Sequence, residues 1–376
     1  MPNMKALFLF FSCVILAASL SCSGGGGDDG GATADGAAPA DGGGGGNDGG
    51  TTADGGGEDT GGGATWPAEK IYVLMEGDTV AVLDAADPAK GIMGTLSLKG
   101  DGVSWIAAES AKKRLYAANK QRDTFSAFET VTMTKLPGSP YAAGQMPVHI
   151  ALHKQHNLVV VTNNASYDLS VYEAATMTQI SSSPLVCAEQ SPIAVAIDAN
   201  ASRAFILNQG GSHDVTVYEV FGPDQWTLRP EKLPVGEGPI SLVADSPDRR
   251  LYVANASSNN ITAYDMDTLI QLGGSPFPAG KKPAFLALDP VGGVVCAANT
   301  SDDLVTMYDA KTMSTIGSIT MAAGSAPTSI AVDSARNRLY VAAGGDTSVY
   351  MFSLDKAAPV GSPIKLPAKP INIDHD

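Results

Sequence analysis

His149 is the one titratable side chain at a position that recurs in seven short apolar segments. The full set is Trp105, His149, Ala194, Ser241, Phe285, Ser329 and Asn372. Its members differ in type while their neighbours stay apolar, which packing alone does not require. An imidazole in such a set could serve as a general base toward water. Trp105 and Phe285 could stack on a planar or sugar-like ligand, and Ser241, Ser329 and Asn372 could hydrogen-bond it. The opposing reading is that all seven merely fill a narrow channel, and the residue types alone leave both open. Asp374 and His375 also replace residues that are aliphatic in most copies, although fraying at the end of the chain explains that equally well.

The segments that must position these residues repeat. Leu251-Tyr252-Val253-Ala254-Asn255 is one of seven copies whose last residues are Met75, Asn119, Asn163, Asn208, Asn255, Asn299 and Ala343, at spacings of 44, 44, 45, 47, 44 and 44. Each copy holds apolar runs of four to six residues, rich in β-branched and aromatic side chains and bounded by Asn, Asp, Ser and Gly. These are strand and hairpin signals. A period of this length with strands inside it predicts an all-β, seven-bladed β-propeller with four-stranded antiparallel blades, and no helix. In the copy from Pro239 to Asp265 the fourth strand is expected near Leu269 to Leu272, before a turn at Gly274-Ser275-Pro276.

In six copies the residue closing the first strand stands ten positions before the end of the second. The pairs are Glu109/Asn119, His153/Asn163, Asp198/Asn208, Asp245/Asn255, Asp289/Asn299 and Asp333/Ala343. The four aspartates are expected to bond backbone N–H groups of a fixed hairpin turn. Ile71 to Met75 lacks a first strand before it, and Pro370 to Asp376 is a first strand with nothing after it. Joined, they reproduce the ten-residue spacing, so the C-terminal strand should complete the N-terminal blade and close the ring. The third residue of every first strand then belongs at the mouth of the central channel.

Residues 1–21 have one basic residue, Lys5, and an apolar run from Ala6 to Leu20, as in a secretory signal peptide. Ser19-Leu20-Ser21-Cys22 resembles the bacterial lipoprotein cleavage box, with Leu two rather than three residues before Cys22, which implies lipidation of Cys22. Residues 22–65 follow as a tether: Ser23 to Thr65 holds 20 of the 42 glycines, eight acidic residues and neither a basic nor an aromatic one. It cannot bury apolar surface enough to offset its chain entropy. Of the formal charge of −15, Lys5 contributes +1 and this stretch −8, which leaves −8 for residues 66–376. A mildly acidic domain argues against nucleic acid as partner. Lys112-Lys113-Arg114 reads as a solvated turn. Cys187 and Cys296 are expected as two free thiols, far apart. His149, His153 and His156 occupy a strand and its following turn rather than a metal-ligand array, and no nucleophile elbow, phosphate loop or dinucleotide fingerprint is present. No cofactor is implied.

Leu-Tyr-Val-Ala-Asn at 251–255 and Leu-Tyr-Val-Ala-Ala at 339–343 resemble the YVTN repeat of bacterial and archaeal surface propellers. Gly274-Ser275-Pro276-Phe277-Pro278-Ala279-Gly280 through Pro283 to Asp289 is similar to the lactonase-type seven-bladed propellers, whose namesake is 6-phosphogluconolactonase. Gly138-Ser139-Pro140-Tyr141-Ala142-Ala143-Gly144 repeats the phrase. The matching residues are blade scaffold, and none of the family's catalytic residues maps to a particular position here. Two functions are therefore expected to compete. One is a monomeric binding scaffold in the bacterial cell envelope, held to the membrane through Cys22, that takes a protein, peptide or glycan on its loop face and channel mouth. The other is a lactone hydrolase with His149 as base.

Overall fold

The computed structural model describes residues 66–375, apart from 99, 188–190, 199 and 201–202. The expected signal peptide, the lipid-bearing Cys22 and the glycine-rich tether lie outside the described residues.

Seven antiparallel sheets form the propeller. Blade 2 shows the plan: an innermost strand Val103–Glu109, then Arg114–Asn119, Thr124–Glu129 and a short outer pair, Thr134–Lys135 and Tyr141–Ala142. The innermost strands of blades 3 to 7 are Pro147–His153, Pro192–Asp198, Pro239–Asp245, Pro283–Asp289 and Pro327–Asp333. In blade 1 that place is taken by Pro370–His375, which pairs with Lys70–Met75 through Ile71↔His375, Val73↔Ile373 and Leu74↔Asn372. The ring closes as the two orphan strands require.

The second strands are buried along their whole length in Leu158–Asn163 and Lys70–Met75, and everywhere but a half-buried first residue in the other five. A sheet covered on both faces explains why they read as continuous rather than alternating apolar runs. The apolar side chains accordingly gather in seven clusters, one at each contact between adjacent blades. One joins Phe205, Leu207 and Val217 of blade 4 to Leu251, Val253 and Tyr264 of blade 5. The cluster at the seam joins Ile71, Val73 and Ile373 of blade 1 to Tyr340, Ala342 and Met351 of blade 7.

Polar staples repeat with the blades. Tyr172, Tyr218 and Tyr308 donate their hydroxyls to carbonyls of the preceding blade's outer strand, at Ala142 (2.7 Å), Val186 (2.6 Å) and Pro278 (3.2 Å). Asp198, Asp245, Asp289 and Asp333 each accept a backbone N–H of the following turn, at 3.0 to 3.2 Å, as expected. His153 does the same in blade 3, its Nδ1 accepting the His156 N–H at 3.4 Å. Asparagines 119, 163, 208, 255 and 299 each reach a Ser or Thr hydroxyl of the third strand at 2.8 to 2.9 Å. Gly280 lies flat on Asn299, where an added Cβ would stand 2.6 Å from the amide carbon. The glycine of the repeated Pro-x-x-Ala-Gly phrase is thus a packing requirement.

Three expectations need correction. The outer strand of blade 5 is not Leu269 to Leu272. Only Gln271 bridges to Tyr264, and the strand proper is Phe277–Pro278, after the turn. The reason is local: Leu269 and Gly274 both have positive φ, and Ser275 Oγ takes the Ala263 N–H at 2.9 Å in place of a strand carbonyl. Arg114 is not a solvated tip, because its guanidinium donates to the Ala174 carbonyl of blade 3, while Lys112 pairs with Glu109. Two single 3₁₀ turns, Pro88–Lys90 and Ser110–Lys112, interrupt an otherwise all-β domain. Cys187 and Cys296 are free and buried, as expected.

Asn372 ties the closing strand to blade 2, since its buried Oδ1 accepts the Ile106 N–H at 3.1 Å. Replacing it with leucine leaves that N–H without a partner, so Asn372→Leu should lower unfolding stability by about 1–3 kcal/mol. A lowered denaturant midpoint with an unchanged m-value is the expected reading.

Candidate functional site

A register shift sets up the channel. In all seven blades the inner strand bulges between its first and third residues, as between Val103 and Trp105 or between Pro283 and Phe285. Six of the seven strands begin with proline, which lacks an N–H and is tolerated at the first position of a strand. The bulge leaves the second residue unpaired and turns the third toward the axis.

The structure divides the seven third-position residues into three kinds. Ser241, Ser329 and Asn372 are buried and spent on the next blade. Ser241 Oγ accepts the Leu286 N–H at 3.1 Å, and Ser329 Oγ accepts the Ile373 N–H at 3.3 Å. Asn372 takes the Ile106 N–H in the same way, so position three of one strand bonds position four of its neighbour. Ala194 is buried and inert. The remaining three meet at Trp105. Trp105 lies 4.2 Å from His149 and 5.6 Å from Phe285, ring centroid to centroid. Blades 2 and 6 are not neighbours, so the Trp105–Phe285 stack spans the channel.

His149 has no acid–base partner in this layer. Its Nδ1 is buried without a hydrogen bond. Enclosure by protein disfavours the imidazolium and pushes the pKa down to about 3. The ring is neutral at physiological pH and a poor proton acceptor. His153 and His156 lie 4.7 Å apart, ring to ring, outside the channel layer. Among the described residues no three of His, Cys, Asp and Glu come together as metal ligands.

Beyond the aromatic layer the channel widens into a cavity of about 360 Å³. Its girth comes from position five, where Ala107, Ala151, Ala287 and Ala331 line the wall. Asp374 holds the same position in blade 1, and His375 and Lys154 complete the far end. Asp374 is ordered: Oδ2 accepts the Ala108 N–H at 2.9 Å and Oδ1 the His375 N–H at 2.9 Å. Burial raises its pKa, against the opposing charges of His375 and Lys154. His375 Nε2 lies 2.7 Å from the Val332 carbonyl, which can only accept, so Nε2 carries the proton. Fraying does not explain these two residues. Their departure from the aliphatic pattern was the visible signal, whereas Lys154, one residue past its strand, carried none.

The low pKa of His149 has a consequence for stability. Between about pH 6.5 and 3 the unfolded imidazole binds a proton and the folded one does not, so the native state loses stability as the pH falls through this window. His149→Phe removes that proton uptake. The variant should therefore lose less stability than wild type between pH 7 and pH 4.5 in urea denaturation.

Comparison with known proteins agrees with this architecture. A family model described as "Lactonase, 7-bladed beta-propeller" matches residues 74–183 and 173–360. No curated protein matches. Among solved structures, a functionally unknown protein from Desulfotomaculum acetoxidans superposes with a TM-score of 0.69 at 13% identity, over 82% of this chain and 98% of its own. A Bacteroides fragilis protein proposed to be a 6-phosphogluconolactonase gives 0.63 at 16% identity, over 82% and 98%. AztD from Citrobacter koseri gives 0.60 at 12%, over 82% and 97%. At such identities these likenesses speak to fold alone.

Proposed function

This chain belongs to the lactonase family of seven-bladed β-propellers, and on that premise we propose that it is a binding propeller of the bacterial cell envelope, tethered through a lipid on Cys22, rather than a hydrolase. The observation that carries the reading is the Trp105–His149–Phe285 layer. A base in a hydrolytic site needs a partner that orients it and a place for the reacting carbon within hydrogen-bond reach. His149 has neither: its ring packs against Trp105 and its Nδ1 is orphaned. The three polar members of the ring are consumed by neighbouring backbone N–H groups. Recognition then falls to the loops around the channel mouth, which suits a protein, peptide or glycan partner. The apolar leader, the Ser19-Leu20-Ser21-Cys22 box and the acidic glycine-rich stretch support the tether.

Family membership favours a second reading, lactone hydrolysis. A panel of sugar and aliphatic lactones incubated with the full-length protein separates the two. No turnover above the uncatalysed rate is expected, and hydrolysis abolished by His149→Ala would sink the binding reading. For the tether, Cys22→Ser should move the protein from the membrane pellet to the soluble fraction on ultracentrifugation. An unchanged distribution would remove that part of the proposal.

A further inference from the structure

The cavity below the aromatic layer can be considered independently of the loop-face reading. Along seven equivalent inner strands, position five is alanine in five blades: Ala107, Ala151, Ala196, Ala287 and Ala331. Small side chains at one level open the channel where larger ones would fill it, and the resulting space of about 360 Å³ falls within the usual range of small-molecule sites. Its two ends differ chemically. Trp105 and Phe285 close one end with an aromatic surface. Asp374, His375 and Lys154 stand at the other; His375 lies three residues past the aromatic level, roughly 10 Å for a strand rise of about 3.3 Å per residue.

Blade 1 breaks the pattern where polarity is placed. Asp374 is the only polar residue at position five of any blade, and His375 the only one at position six. Both are held: Asp374 by two backbone N–H groups, His375 by the Val332 carbonyl. Lys154 is exposed and, among the described residues, makes no ion pair. An ammonium in no contact ion pair, whose charge acts on the buried Asp374 carboxyl at the same end of the cavity, offers a site for an anion.

We propose that the channel cavity binds a small monocarboxylate with an apolar, preferably aromatic, body. The carboxylate is held at Lys154 beside His375 and Asp374, the chain lies along the alanine layer, and the ring rests against Trp105 and Phe285. A compact apolar ligand lacking the anion would leave Lys154 unused. A dianion or a sugar would have to bury polar groups against Ala107, Ala151 and Ile330, where nothing pairs with them.

The probe is 3-phenylpropionate, titrated calorimetrically into the full-length protein, with 3-phenylpropan-1-ol as its uncharged counterpart. Saturable binding of the acid is expected, at least tenfold tighter than the alcohol, together with a change in tryptophan fluorescence that Trp105→Phe removes. Lys154→Met, at an exposed position, should weaken the acid at least tenfold without altering the circular dichroism spectrum or the Tm. Ala151→Leu, which fills the cavity, should abolish binding. Absence of binding to the wild type would overturn the proposal, as would equal affinity for acid and alcohol. So would unchanged affinity in Lys154→Met, which keeps the test decisive if Ala151→Leu fails to fold. Binding of the acid with no lactone turnover leaves the loop-face reading intact, and failure here leaves it untouched.

Discussion

Each sheet of this domain is covered on both faces by another sheet, and that mutual covering is what everything else depends on. A single four-stranded blade has no core of its own. Its second strand is apolar on both sides, so it is stable only between two neighbours. Seven apolar clusters, one per contact, replace the central core of an ordinary domain. The arrangement has no free end only if the last contact is made. Pro370–His375 makes it by entering the blade begun by Lys70–Met75.

Closure also determines what the axis contains. Because the inner strands stand side by side in equivalent register, residues distant in sequence share a level of the channel. Position three brings Trp105 onto Phe285 across 180 residues, and position five lines up four alanines with Asp374. The layers alternate in character: an aromatic septum, then a cavity, then a charged end. Each follows from one side chain per blade, although at position three Ser241, Ser329 and Asn372 also tie neighbouring blades together. The scaffold positions have their own duties, from turn aspartates to tyrosines that reach the preceding blade.

Much of the scaffold was legible in the chain because it is written seven times. The 44-residue period, the ten-residue hairpin spacing and the unpaired strands at the two ends lead to a closed ring without coordinates. The outer strand of blade 5 was misplaced because its hydrogen bonding is shared between Gln271, a serine hydroxyl and Phe277–Pro278, and no residue pattern announces such a split. Arg114 looked like part of a solvated basic turn because its partner, the Ala174 carbonyl, lies in another blade.

The division runs along the same line at the site. By itself the sequence determined which residues share a level, since equivalence in a repeat is a matter of counting. It could not say what they do there. Whether Ser241, Ser329 and Asn372 face a ligand or a backbone N–H depends on the spacing between neighbouring strands, and whether His149 is a base or a packed ring depends on which side chains cross the axis. Those are distances between segments that no repeat records. Only closure of the ring decided them, by bringing seven strands to one axis and leaving room at position five for a cavity that ends on Asp374, His375 and Lys154.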